Sequence, residues 1–221
     1  MPASSYCLIC QKDMRSEGSL EEMFYVGDCI CADCRAKMPY FPRKFRIAGV
    51  SIEGLYLYQD LLRETLIQFK EYNDEALYPL FLYPYARQLR QKYRGYELLP
   101  LPSSDQACLR RGFRPVELIF SLLQLPLIDG FYKKSDVDQK SRSFRQRQQI
   151  RSQIALRDGL DLKEKKILLV DDIVTSGATM LTGFRLVNGQ AREVRALTLS
   201  YNQRFLSPAE RFLQKNILQG R

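Results

Sequence analysis

Hydrophobic and polar positions along the chain change period several times, and each change predicts an element. Residues 48–58 alternate and are rich in β-branched side chains, which predicts one or two strands. From Asp60 the period lengthens: Leu61, Leu62, Thr65, Leu66 and Phe69 share one helical face with charge opposite. Lys70 and Glu71 close that helix, and Asn73-Asp74 opens another running toward Tyr93. After Gly95, residues 97–102 (ELLPLP) read as a strand, and Ser103-Ser104-Asp105 is a turn offering N-caps to the next helix. The stretch RRGFRP interrupts, residues 116–125 read as a buried helix, and residues 127–132 as a strand. Residues 133–153 are polar and basic, either a mobile loop or a solvated helix. The continuous apolar run ILLV at 167–170 marks a central parallel strand buried on both faces. A helix face formed by Met180, Leu181, Phe184, Leu186 and Val187 follows, then a strand over 194–200. Ser207-Pro208-Ala209-Glu210 is a capping box that opens an extra C-terminal helix within 205–221. Its apolar face (Phe212, Leu213, Ile217) either packs on the sheet or docks a protein partner.

At about 100–200 residues per domain, 221 residues make one full domain plus a small module. No apolar run approaches the roughly 20 residues of a membrane span, so no membrane insertion is expected. The N-terminus lacks a basic start followed by a long apolar stretch, which predicts a cytoplasmic protein. Residues 1–41 hold four basic and six acidic residues, a net −2; the remaining 30 basic and 19 acidic residues give the body +11. A basic body suits phosphate-bearing partners, whether nucleotide, sugar phosphate or nucleic acid. The chain contains no histidine, which removes His-dependent triads, His general bases and Cys/His metal sites.

Six cysteines without a secretory signal point to metal or redox chemistry. Cys7-x-x-Cys10 and Cys31-x-x-Cys34 form two knuckles, which together supply four thiolates for a tetrahedral zinc ion. A short hairpin is expected between them, over residues 20–26. Residues 1–40 hold few apolar side chains, so metal binding would supply much of their folding free energy. Cys29 is either a spare thiol or a competitor of Cys31, and Cys108 is expected to be a packed small hydrophobe.

Asp171 and Asp172 follow the ILLV strand at once, and Thr175-Ser176-Gly177-Ala178-Thr179 precedes the next helix. Small residues at a helix N-terminus let several backbone N–H groups converge on one anion, and Thr175, Ser176 and Thr179 add hydroxyl donors. Two carboxylates facing that anion would repel it. They are better placed as acceptors for sugar hydroxyls, with or without Mg²⁺. A phosphate clamp beside a diol clamp describes a ribose 5-phosphate site. No GxxxxGK[ST] loop occurs, so nucleoside triphosphate hydrolysis is disfavoured.

The stretch ILLVDDIVTSGAT (167–179) resembles the phosphoribosyl-pyrophosphate (PRPP) motif of type I phosphoribosyltransferases. Together with the knuckles, LIQFKEYN (66–73), LLPLP (98–102) and RRGFRP (110–115), the chain resembles the ComF/ComFC late-competence family. The resemblance implies a small N-terminal zinc ribbon (1–41) followed by an α/β phosphoribosyltransferase-like domain (42–221), a mainly parallel open sheet flanked by helices. By the same resemblance Asp171 and Asp172 contact the ribose hydroxyls and residues 175–179 hold the 5-phosphate. Ser103-Ser104 matches the pyrophosphate loop, and Arg110 and Arg111 are candidates for the same anion. The family continues Arg-Gly-Phe with Asn, where this chain has Arg114. The run 140–151 takes the place of the flexible loop over PRPP, making Arg142, Arg145 and Arg147 candidates for pyrophosphate or DNA contacts; a solvated Arg-rich helix explains them equally well. Lys70 reads as a surface lysine, with an anion contact as the alternative.

The implied role is DNA uptake in natural transformation, with single-stranded DNA and a helicase-like, ComFA-like ATPase as partners. Tyrosines at 56, 58, 72, 78, 83, 85, 93 and 96 lie among basic residues, most for packing and a few for base stacking. The competing readings are an active phosphoribosyltransferase of nucleotide metabolism, using Mg²⁺ and PRPP, and a PRPP-sensing regulator. No base-recognition segment is visible.

Overall fold

The main sheet has five strands: β1 (Tyr40–Ile47), β2 (Val50–Leu57), β3 (Tyr96–Pro100), β6 (Lys166–Val174) and β7 (Glu193–Tyr201). In this computed structural model, which describes residues 5–14, 28–103, 105–133 and 154–211, they lie in the order β1-β2-β7-β6-β3. β1 and β2 form an antiparallel hairpin turning at Ala48-Gly49, and β2, β7, β6 and β3 pair in parallel. A separate antiparallel pair joins β4 (Phe131–Lys133) to β5 (Ile154–Leu156).

Helices cover both faces. Two apolar clusters lie on either side of the sheet, and Leu168 and Val170 of β6 contribute to the first while Ile167 and Leu169 contribute to the second. Alternating side chains along one strand therefore feed two cores, the signature of a strand buried twice. The first cluster takes Leu62, Leu66 and Phe69 from α2 (Asp60–Glu71) and Leu80 to Leu82 from α3 (Tyr78–Leu82). It also takes Leu89 from α4 (Ala86–Lys92) and Val116, Ile119 and Phe120 from α6 (Pro115–Ser121). The second takes Met180 and Val187 from α7 (Ala178–Val187), Phe131 from β4 and Phe45 from β1. The fold is thus α/β with a mainly parallel sheet flanked by helices. Among the described residues, no helix is long and apolar enough to cross a membrane.

Several boundaries differ from the sequence expectation. Pro42 sits inside β1, an edge strand, where the missing N–H is tolerated and the register shifts between Tyr40 and Arg43. The helix expected from Asn73 to Tyr93 is broken into α3, α4 and two 3₁₀ turns, because Pro79 and Pro84 each restart the chain at a first-turn position. The helix expected to reach Leu125 ends at Ser121, and of the strand expected over 127–132 there is a single bridge at Leu127 and the short β4. The strand expected at 167–170 runs on to Val174, so both acids lie within β6. Gly54 answers to packing: a Cβ there would overlap the Tyr201 ring. The hairpin expected at 20–26 and the whole of 134–153 lie outside the described residues.

The cysteine-bearing segment packs on the first core. Cys7, Cys29, Ile30, Cys31, Cys34 and Met38 join the cluster that holds Tyr56, Leu77 and Leu80. A buried ion pair fixes it there. Arg35, in α1 (Ala32–Ala36), donates from Nε and Nη2 to Asp28 at 2.8 and 2.7 Å, and from Nη1 to the carbonyl of Leu80 at 3.0 Å.

Candidate functional site

Adjacent parallel strands β3 and β6 send their following helices to opposite faces of the sheet. The chain after β3 passes through α5 (Asp105–Arg111) to α6 on the first core, whereas β6 leads into α7 on the second. A crevice opens at such a switch point, outside the carboxyl ends of the strands, and it is where open α/β sheets bind ligands. Asp171 to Thr179 run from the end of β6 into the N-terminus of α7, while Ser103, three residues past β3, lines a cleft with Arg114, Glu117 and Asp129.

The two acids have different surroundings. Asp172 points to the same side as Leu168 and Val170 and is buried, 7% exposed. The Lys70 ammonium donates to its Oδ2 at 2.6 Å, and the Ser200 hydroxyl donates to its main-chain carbonyl at 2.9 Å. Asp171 is partly exposed, and one carboxylate oxygen accepts the Asp172 N–H at 2.9 Å. Burial and the neighbouring Asp172 charge push the Asp171 carboxyl up to about 8, against the pull of Lys70 and Lys133. Asp172 Oδ1 and Asp171 Oδ2 accept no bond from any described residue, so oxygen acceptors remain for a sugar diol.

The loop after β6 is open. Thr175, Ser176, Ala178 and Thr179 are exposed. Gly177 caps α7 in the left-handed region at φ +77°, and a Cβ there would also overlap Ile47. The Ala178 N–H reaches the Ser176 hydroxyl at 3.3 Å, and the Leu181 N–H bonds the Gly177 carbonyl at 2.8 Å. The N–H groups of Thr175, Ser176, Gly177, Thr179 and Met180 donate to no acceptor among the described residues. Such unpaired amides at a helix N-terminus suit an anion.

The structure brings some expected residues to this crevice and assigns others elsewhere. Arg111 is engaged with α2: its Nε donates to the Lys70 carbonyl at 2.5 Å and its Nη2 to Glu71 at 2.9 Å. Arg110 is exposed. Arg114, which stands where the family pattern has Asn, bridges Glu117 at 2.9 Å and Asp129 at 3.2 Å. Ser104, Arg142, Arg145 and Arg147 lie outside the described residues. Lys70 is not the surface lysine expected, being 22% exposed and paired with Asp172. The signal was present: Leu62, Leu66 and Lys70 are spaced by four, so the apolar stripe of α2 carries Lys70 onto the sheet. Of the eight tyrosines considered for base stacking, Tyr56, Tyr93 and Tyr96 are buried, and Tyr72 is 77% exposed.

At the N-terminus Cys7, Cys10, Cys31 and Cys34 converge, with all four sulfurs within 4.8 Å of one another. The sulfurs of Cys10 and Cys31 are 3.6 Å apart, close to the roughly 3.8 Å that a tetrahedral site with Zn–S of about 2.3 Å requires. The first knuckle is closed by the Cys7 N–H to Lys12 and the Gln11 N–H to Cys7, each at 2.9 Å. Against its burial, the backbone N–H groups of Cys10, Cys31 and Ile9 pull the Cys7 thiol down to about 7. This cluster could hold a metal ion such as zinc. Cys29 is not in it; burial and the Asp28 carboxylate push that thiol up to about 12. Cys108 is only partly buried, less enclosed than expected.

The family model of the phosphoribosyl transferase domain matches residues 107–209. Competence protein ComFC of Streptococcus pneumoniae is 22% identical over 218 residues, spanning 87% of this chain and 98% of that protein. Competence protein ComFC of Bacillus subtilis is 22% identical over 225 residues, spanning 87% and 93%. Among solved structures, a hypoxanthine phosphoribosyltransferase of Staphylococcus aureus aligns at 13% identity with a TM-score of 0.37, over 59% of this chain and 66% of that one. An adenine phosphoribosyltransferase of Leishmania tarentolae aligns at 14% identity with a TM-score of 0.35, over 65% and 78%. The chain thus carries a phosphoribosyltransferase-like domain over the β6 crevice and is similar to the ComFC competence proteins over nearly their whole length.

Proposed function

We propose that the protein serves natural competence and that the crevice at the carboxyl end of β6 binds PRPP or another ribose 5-phosphate ligand. The observation that carries this reading is the pairing of five undonated N–H groups around Gly177 with two carboxylates one residue apart from each other and three from the loop. In this reading residues 175–179 hold the 5-phosphate, and Asp171 and Asp172 accept the ribose hydroxyls, with Mg²⁺ where the ligand brings it. Ser103 and Arg110 are the described candidates for the pyrophosphate end. The four-cysteine cluster binds structural zinc within residues 1–41. The +11 body supports single-stranded DNA as a partner, held chiefly through phosphates since most candidate stacking tyrosines are half-buried or buried. A ComFA-like ATPase is the protein partner that the similarity to ComFC suggests.

PRPP with Mg²⁺ should raise the melting temperature, and Asp171→Ala with Asp172→Ala should abolish the rise. A wild-type protein indifferent to PRPP would defeat the ligand reading. The openness of the loop also favours a second reading, an active phosphoribosyltransferase, in which positioning and charge stabilisation drive pyrophosphate departure. Pyrophosphate released from PRPP on addition of an acceptor base would support it, and its absence across acceptors would leave a binding protein.

A further inference from the structure

The stretch LIQFKEYN ends at the crevice, and the ribose-phosphate reading gives its lysine no task. Lys70 arrives there because the buried stripe of α2 continues through it, and its ammonium lies 2.6 Å from Asp172 Oδ2. Both partners are shielded, with 22% and 9% of their side chains exposed. Lys70 does not hang from a frayed helix end. Its carbonyl is held by Arg111 from α5, the helix that follows β3, so β6 through Asp172 and α5 through Arg111 both fix it. The Arg111 guanidinium thereby lies beside the lysine, and an ammonium displaced from Asp172 would need another anion near at hand.

We infer that Lys70 is the internal counter-ion of Asp172: it closes the acid pair to free divalent cations and releases Asp172 only when an anionic group of the ligand takes the ammonium. This rests on the ribose-phosphate reading above. The inference sets a specificity. A ligand that carries a second anionic group beyond its 5-phosphate, as PRPP does at C1, can both relieve Lys70 and bring a cation to the acids. Ribose 5-phosphate offers the same diol and terminal phosphate but nothing for the lysine, so it should bind more weakly.

The test is Mn²⁺ uptake by the full chain, followed by electron paramagnetic resonance, with and without PRPP or ribose 5-phosphate. Wild-type protein should take up no Mn²⁺ at the acids until PRPP is added. Lys70→Gln should bind Mn²⁺ alone, lose at least tenfold in PRPP affinity and narrow its preference for PRPP over ribose 5-phosphate. Lys70→Arg should behave as wild type. Lys70→Gln that takes up no Mn²⁺ would overturn the inference. So would free Mn²⁺ uptake by the wild type that disappears in Asp171→Asn with Asp172→Asn, a result that needs no lysine variant to fold. Should the wild type ignore PRPP, the ribose-phosphate reading fails by itself, and Mn²⁺ uptake by Lys70→Gln alone still decides whether the lysine guards the acids.

Discussion

Arg111 donates from Nε to the carbonyl oxygen of Lys70 at 2.5 Å, and this bond ties the helix after β3 to the last turn of α2. Its side chain is 10% exposed, so the bond is largely shielded from water. Arg111→Ala should therefore cost about 1–3 kcal/mol of unfolding free energy, the range for a carbonyl left without its charged donor. Urea unfolding followed by circular dichroism measures it, and an unchanged midpoint would contradict the structural role given to Arg111.

Gly177 is constrained twice, by φ +77° and by Ile47 packed against it. Gly177→Ala should lose the melting-point response to PRPP and lower stability by about 1–3 kcal/mol, the cost of a strained left-handed residue. A variant with full stability and full ligand response would show that the loop does not need this conformation.

The Asp171 carboxyl, raised to about 8 by burial and by Asp172, makes stability depend on pH. Its unfolded value is about 3.9. Between those values the native protein keeps a proton that the unfolded chain has lost, so the unfolded state binds fewer protons and stability falls as pH rises from about 4 to about 8. Above that the contribution is flat. Melting temperature measured across this window should fall more steeply for the wild type than for Asp171→Asn, and parallel curves would refute the assignment.

Metal removal separates the five N-terminal cysteines. Cys31→Ser should lose bound zinc and weaken the packing of Cys7, Ile30 and Met38 on the first core. Cys29→Ala should keep a full zinc ion, since its thiol lies outside the four-sulfur cluster and is held protonated. Zinc counted by mass spectrometry of the native protein decides between them; loss of zinc in Cys29→Ala would make that residue a ligand.

How much of this was legible in the residues varies with the distance over which the cause acts. The ILLV run, the two acids and the hydroxyl-rich bend are contiguous, and local periodicity was enough to read a buried strand entering a helix. The two Cys-x-x-Cys knuckles announced their cluster through spacing alone. Lys70 and Asp172 are 102 residues apart, and their pairing depends on how α2 lies on the sheet, which periodicity hints at but does not state. The Asp28 and Arg35 pair was missed because nothing local separates a buried charge from a solvated one. The single long helix expected after Asn73 failed for a local reason, since Pro79 and Pro84 outweighed the apolar spacing.

The central claim is that the acids of β6 and the bend before α7 together hold a phosphorylated ribose. Calorimetric titration of the zinc-loaded protein with PRPP and Mg²⁺ tests it most directly. One ligand per chain is expected, with binding weakened at least tenfold by Asp171→Ala with Asp172→Ala and, separately, by Gly177→Ala. No heat of binding in the wild type, or equal affinity in all three proteins, would contradict it.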